Sequence, residues 1–212
     1  MFSVLGLQTF SGNSLAREPA ALTVATAATQ PDWLTQAKAL EKRHEWQGLL
    51  DWGQRWTQAE PDNSTAWFVL GRALSELKRY AEAIDAYQQD LRLEPGDVYA
   101  QNNLGNAYRY SRRYDDAMRA YRDAVRRDPD YIPAWHNLGI TFYALKGASG
   151  VTKALVQLRA TDPDLAEAWR RLAMEYAVSR DERVTQEAVR VLRGLDEAKR
   201  ERMFGILLKT TD

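Results

Sequence analysis

The sequence has no cysteine, only two histidines and no charge imbalance, with 29 Lys and Arg against 29 Asp and Glu in 212 residues. Each absence removes a class of function. Without cysteine there is no disulfide scaffold, no thiolate metal site and no thiol nucleophile, and the redox compartment is left open. His44 and His136 are distant in the chain and form no His-x-x-x-His pair, so no zinc or haem spacing follows. Net neutrality argues against a generally basic nucleic-acid binder, although it is compatible with a local basic patch. No uncharged apolar run reaches the roughly 18 residues that a membrane-spanning helix needs. Phosphate loops, dinucleotide fingerprints, nucleophile elbows and calcium loops do not occur as motifs. The glycine-rich stretch Gly147-Ala-Ser-Gly150 lacks the Lys-Ser/Thr that completes a phosphate loop and lies where a turn is required. Asp115 and Asp116 read as a helix start, not as paired catalytic acids. These observations predict no catalytic site, no metal and no cofactor. What remains, 45% hydrophobic and 27% charged residues, is the composition of a folded protein.

Residues 1–29 stand apart. Their only charges are Arg17 and Glu18, and they are rich in Ala, Thr, Ser and Gly. Two readings stay open. A flexible leader goes with a cytoplasmic protein; a secretory signal remnant, with an Ala-x-Ala-like site at Ala25 to Ala27, goes with a periplasmic or secreted one. A start codon placed too early would leave the same pattern.

From residue 30 the sequence repeats. Pro61, Pro95, Pro129 and Pro163 are 34 residues apart, and Leu70, Leu104, Leu138 and Leu172 keep the same interval. Gly71, Gly105 and Gly139 follow the leucines, and Trp67, Trp135 and Trp169 precede them by three residues. Within a unit the period is helical. Trp67, Leu70, Gly71 and Leu74 make one apolar stripe, and Tyr80, Ala83, Ile84, Tyr87 and Leu91 make a second after a short turn. The small residue at the crossing lets the two helices approach, and the proline stops one helix before the next begins.

The array W-x2-L-G, then Y-x2-A-x3-Y, then an acidic residue and Pro at 34-residue spacing resembles the tetratricopeptide repeat (TPR). Units 64–97 and 98–131 carry almost every signature position, with Asp90 standing where the family usually has Ala. Unit 132–165 replaces the usual turn by Lys146 to Gly150. Units 30–63 and 166–195 keep the frame with substitutions. The resemblance implies an all-α, right-handed superhelical solenoid of five helix pairs over residues 30–195. Residues 196–212 are then expected to supply a capping helix, as solenoid ends require.

In that architecture first helices line a concave groove. Positions off the buried stripe then predict the groove residues. These are Phe68 and Arg72 in the second unit, and Tyr99, Asn102, Asn103, Asn106 and Arg109 in the third. The fourth unit adds His136, Asn137, Ile140 and Tyr143, and the fifth adds Arg170, Arg171 and Met174. Four asparagines on neighbouring helices are unusual, because Asn is a mediocre helix-interior residue. Each offers a donor and an acceptor suited to an extended backbone. Basic groove residues, including Lys38 and Lys42, outnumber acidic ones, which predicts a mildly positive trough. Some family members hold a partner's C-terminal carboxylate with five groove residues. Asn106, Asn137 and Arg171 fall on three of those positions, while Asn102 and Glu167 replace the two lysines. A peptide groove with acidic or polar preference is therefore expected in place of a true carboxylate clamp.

The expected function is a non-catalytic protein-interaction module that takes an extended peptide or partner helix. Self-assembly through the apolar leader is the structural alternative. Single-stranded RNA stacked on Tyr99, Tyr110 and Tyr143 is a third, disfavoured by the neutral charge.

Overall fold

The computed structural model describes residues 32–176 and 181–209, so the leader lies outside the described residues. Among those described the chain is helical, with no strand. Helices α1 (Trp33–Lys42) and α2 (Trp46–Ala59) form one pair, α3 (Ser64–Glu76) and α4 (Tyr80–Leu93) the next, and α5 (Val98–Tyr110) and α6 (Tyr114–Arg127) a third. The fourth pair is the element α7 (Ile132–Arg159), which Gly147 breaks into two arms with φ 61° and ψ −175°. Helix α8 (Pro163–Arg170) runs on as a π-helical stretch, Arg171–Tyr176, and packs on α9 (Glu182–Arg193); α10 (Glu197–Lys209) follows. The starts of α3, α5 and α7 keep the 34-residue spacing. Helix α8 begins earlier in its frame, because Asp162 caps it and Pro163 occupies its first position, where a missing N–H costs nothing.

Turns inside the pairs share one construction. His44, Lys78 and Arg112 adopt left-handed backbone with φ of 57°, 61° and 61°. Around Lys78 the amide of Arg79 bonds the Leu74 carbonyl at 2.8 Å and that of Lys78 bonds Ser75 at 3.0 Å, closing the last carbonyls of α3. Arg112 and Arg113 repeat this on Arg109 and Tyr108. In the fourth pair a glycine takes the role one residue later in the frame, at Gly147.

The repeat columns are the core. Ala66, Ala100, Ala134 and Ala168 are sealed, as are Leu104, Leu138 and Leu172. Gly71 and Gly105 have a stricter reason than helix approach. A Cβ on either would sit 2.7 Å and 2.5 Å from the rings of Tyr87 and Tyr121, which fold over them from the partner helix. In the fourth pair Leu155 replaces that tyrosine, and Gly139 instead faces the Leu172 carbonyl of the next unit, 3.0 Å from a would-be Cβ.

First helices touch one another along the array, α3 with α5 and α5 with α7, whereas α4 and α6 make no contact of that extent. First helices therefore line the inner, more tightly curved side.

Residues 196–209 differ from expectation. The helix forms, but it packs on α6 and α7 and does not cover the last pair. Phe204 stacks on Trp135 with centroids 6.2 Å apart, Glu201 pairs with Arg126 at 2.9 Å, and Lys199 reaches Asp162 at 3.3 Å. Trp135 is fully buried under this cover, while Trp67, its counterpart in the second unit, is only half-buried. The last pair presents a polar outer face of its own, since Gln186, Glu187, Arg190 and Arg193 on α9 are exposed.

Candidate functional site

The inner side carries a cavity of about 300 Å³ between α3 and α5. Arg72, Ser75 and Glu76 line it from α3, Asn103, Asn106, Ala107 and Tyr110 from α5, Lys78 from the turn, and Tyr80 and Tyr87 from α4. Its aromatic wall is held in place: Tyr80 and Tyr110 stack at 5.2 Å and 16°, and the Arg109 guanidinium lies 4.4 Å from the Tyr110 centroid. Asn106 is oriented by its own unit, because the Tyr121 hydroxyl donates to its Oδ1 at 2.9 Å. Burial pushes the Tyr121 phenol up to about 12, against the lowering effect of Arg109, so it remains a donor at neutral pH. Asn103 is half-buried on the same face.

Three of the predicted groove residues, Arg72, Asn103 and Asn106, thus meet in one cavity. The others divide. Asn102 is buried at 4% exposure and accepts a 2.9 Å hydrogen bond from the Asn137 amide, so this pair joins α5 to α7. Phe68 is half-buried and packs edge-on to Tyr87 at 6.0 Å. Tyr99 is 62% exposed and meets Tyr131 edge-on at 5.3 Å, at the far end of α5 from Tyr110. His136, Ile140, Tyr143 and Met174 are half-buried, and Tyr143 and Met174 pack on the core.

Arg170 and Arg171 belong elsewhere. Both bind Glu167, Arg170 at 2.7 Å and Arg171 at 3.2 Å, and Arg171 also pairs with Glu187. Hydrogen bonds from Arg170 and then Arg171 hold the Glu167 carboxyl down at about 2. Arg171, Glu167 and Glu187 line a separate hollow of about 330 Å³ between α8 and α9. Arg72 lies 3.7 Å from Glu41. The positive trough expected from counting cations is correspondingly weaker, since three of the six face a carboxylate of this chain. Of the three clamp-like residues, Arg171 is tied to glutamates, and Asn106 and Asn137 each bond a neighbour within the fold.

Ser75, Lys78, Tyr80 and Tyr87 were not among the predicted residues. Tyr80 reads from sequence as part of the second helix's packing face. Only its pairing with Tyr110, 30 positions on, brings it to the groove. Among the described residues no group of His, Cys, Asp or Glu could hold a metal ion, and no helix is long and apolar enough to cross a membrane.

Comparison with known proteins bears on the repeats directly. Family models described as "Tetratricopeptide repeat" and "TPR repeat" match residues 64–97 and 105–146. No curated protein matches the chain. Of solved structures 47 chains match, among them "MamA RS-1 ArsTM double mutant" at 18% identity and a TM-score of 0.52, covering 81% of this chain and 92% of that one. That likeness concerns the fold. Matched repeats in the middle units, with paired helices in the same frame on either side, show that the chain carries tetratricopeptide repeats, a repeat that typically serves as a non-catalytic scaffold for protein–protein interaction.

Proposed function

We propose that the inner face of the solenoid binds an extended segment of a partner protein, with one partner side chain seated in the cavity between α3 and α5. The observation that carries this reading is the ordered polar floor beside an aromatic wall: Asn103 and Asn106 next to the stacked Tyr80 and Tyr110. Amides satisfy backbone groups without demanding a sequence, and tyrosines add apolar contact at low entropic cost. Arg72 is shared with Glu41, and Lys78 with the two amides favours a polar or acidic partner side chain. The cavity is too small for a folded domain and suits one or two side chains, so the rest of the partner lies along α5 towards Tyr99.

Titration of labelled acidic and basic peptide libraries into the parent and into Arg72→Ala and Asn103→Ala variants tests this. The expected result is binding of acidic or polar peptides that weakens about tenfold in each variant, the effect of losing one good polar contact. Equal binding by parent and variants would remove the groove assignment.

A further inference from the structure

Asp90 occupies a repeat position that Ala124 fills in α6 and Leu158 fills in α7, and all three are sealed, at 1%, 0% and 0% exposure. An apolar slot in two units therefore holds a carboxyl group in the third. Neither Asp90 oxygen has a hydrogen-bond partner among the described residues. Its helix, α4, packs against α3 and α5. The charges that act on Asp90 are both negative, Asp97 and Glu94, at the turn between α4 and α5. On its own helix the Asp90 charge acts on Tyr87, one turn earlier, and Arg92 follows two positions later without acting on Asp90. The only charged side chains within α3 are Arg72 and Glu76, which line the groove cavity, and α5 has only Arg109, over Tyr110. Among the described residues no group compensates an Asp90 carboxylate, and an uncompensated buried carboxylate is neutral or destabilising.

We propose that Asp90 is a pH-sensitive latch on the seam between the second and third repeat units: neutral, it packs like its alanine counterpart; ionised, it loosens α4 from α5. Burial first, then the like charges of Asp97 and Glu94, push its carboxyl up to about 7. The direction of the pH effect follows. An acid whose folded value lies above its unfolded one gives stability that is fully present below the ordinary carboxylate range. That stability drains as pH rises from about 4 towards about 7 and stays lost above it. The cavity between α3 and α5 spans the same two units, so the latch also acts on the shape of the groove. That last step rests on the groove reading; the latch itself does not.

Thermal unfolding of the full chain as parent, Asp90→Ala and Asp90→Asn, from about pH 4 to about pH 8, separates charge from volume. The expected result is near-equal melting temperatures at the acid end. Towards neutral pH the gap opens to at least about 5 °C in favour of both neutral variants. Amide protection in α4 and α5, corrected for intrinsic exchange, should fall more than about tenfold over that range in the parent and less than about twofold in Asp90→Ala. A gap that does not change with pH, or an Asp90→Asn variant that keeps the parent's pH slope, overturns the latch. Loss of peptide binding with the pH-dependent gap intact would overturn the groove reading alone.

Discussion

Asn137 donates its side-chain amide to Asn102 across the seam between α5 and α7 at 2.9 Å, with Asn102 almost wholly buried. Two polar residues expected to face a ligand thus hold successive units together. Replacing Asn102 by Ala should destabilise the fold by about 1–2 kcal/mol, because Asn137 loses its partner in a half-buried seam. A double-mutant cycle with Asn137→Ala should return a coupling of about 1 kcal/mol, measured by urea unfolding. Zero coupling would mean that the two amides act independently.

The glycines under tyrosine rings predict an unusual sign. Alanine in place of glycine within a helix ordinarily stabilises, by about 1 kcal/mol. Gly105→Ala should instead cost about 1–3 kcal/mol, because its Cβ would lie 2.5 Å from the Tyr121 ring. Adding Tyr121→Leu, the arrangement the fourth unit already uses with Leu155, should recover part of that loss. Calorimetry on the single and double variants reads both effects.

Left-handed turn residues predict the opposite result. Lys78 and Arg112 sit at φ 61°, where a Cβ is penalised. Lys78→Gly and Arg112→Gly should each stabilise by about 0.5–1 kcal/mol, the relief at a helix C′ position less the added freedom of the unfolded chain. Gly147→Ala should cost about 1–3 kcal/mol, because φ 61° with ψ −175° is tolerated by glycine almost alone. Denaturant midpoints at constant slope check all three.

Helix α10 is part of the core. Phe204→Ala should cost about 3–4 kcal/mol by leaving a cavity over Trp135. Trp135 is fully buried in the parent. Loosening of its cover should therefore red-shift the tryptophan emission of the folded variant. An unshifted spectrum together with unchanged stability would show that α10 is dispensable.

The helix pairs were legible because their signal is redundant. Leu70, Leu104, Leu138 and Leu172, with the glycines beside three of them, report one frame several times over. The groove was legible only in part. Periodicity places Asn102, Asn103 and Asn106 on one side of α5 but does not say what stands opposite them. The approach of α7 buries Asn102, and Asn103 and Asn106 remain at the cavity. Arg170 and Arg171 read from sequence as free charges because the pattern places Glu167, one turn earlier, at a clamp position of its own and does not show it as their partner. The return of α10 onto Trp135 depends on contacts between residues 69 positions apart, which no local pattern encodes.

Partners should meet the first helices and not the outer wall. A photocrosslinking amino acid placed at Tyr110, beside the cavity, or at Val156, on the second arm of α7, tests it in intact cells, since both side chains are well exposed, at 56% and 67%. The expected result is a discrete protein adduct from position 110 that disappears in an Asn103→Ala background, and none from position 156. An adduct from position 156 alone, or the same adduct from both, would contradict it.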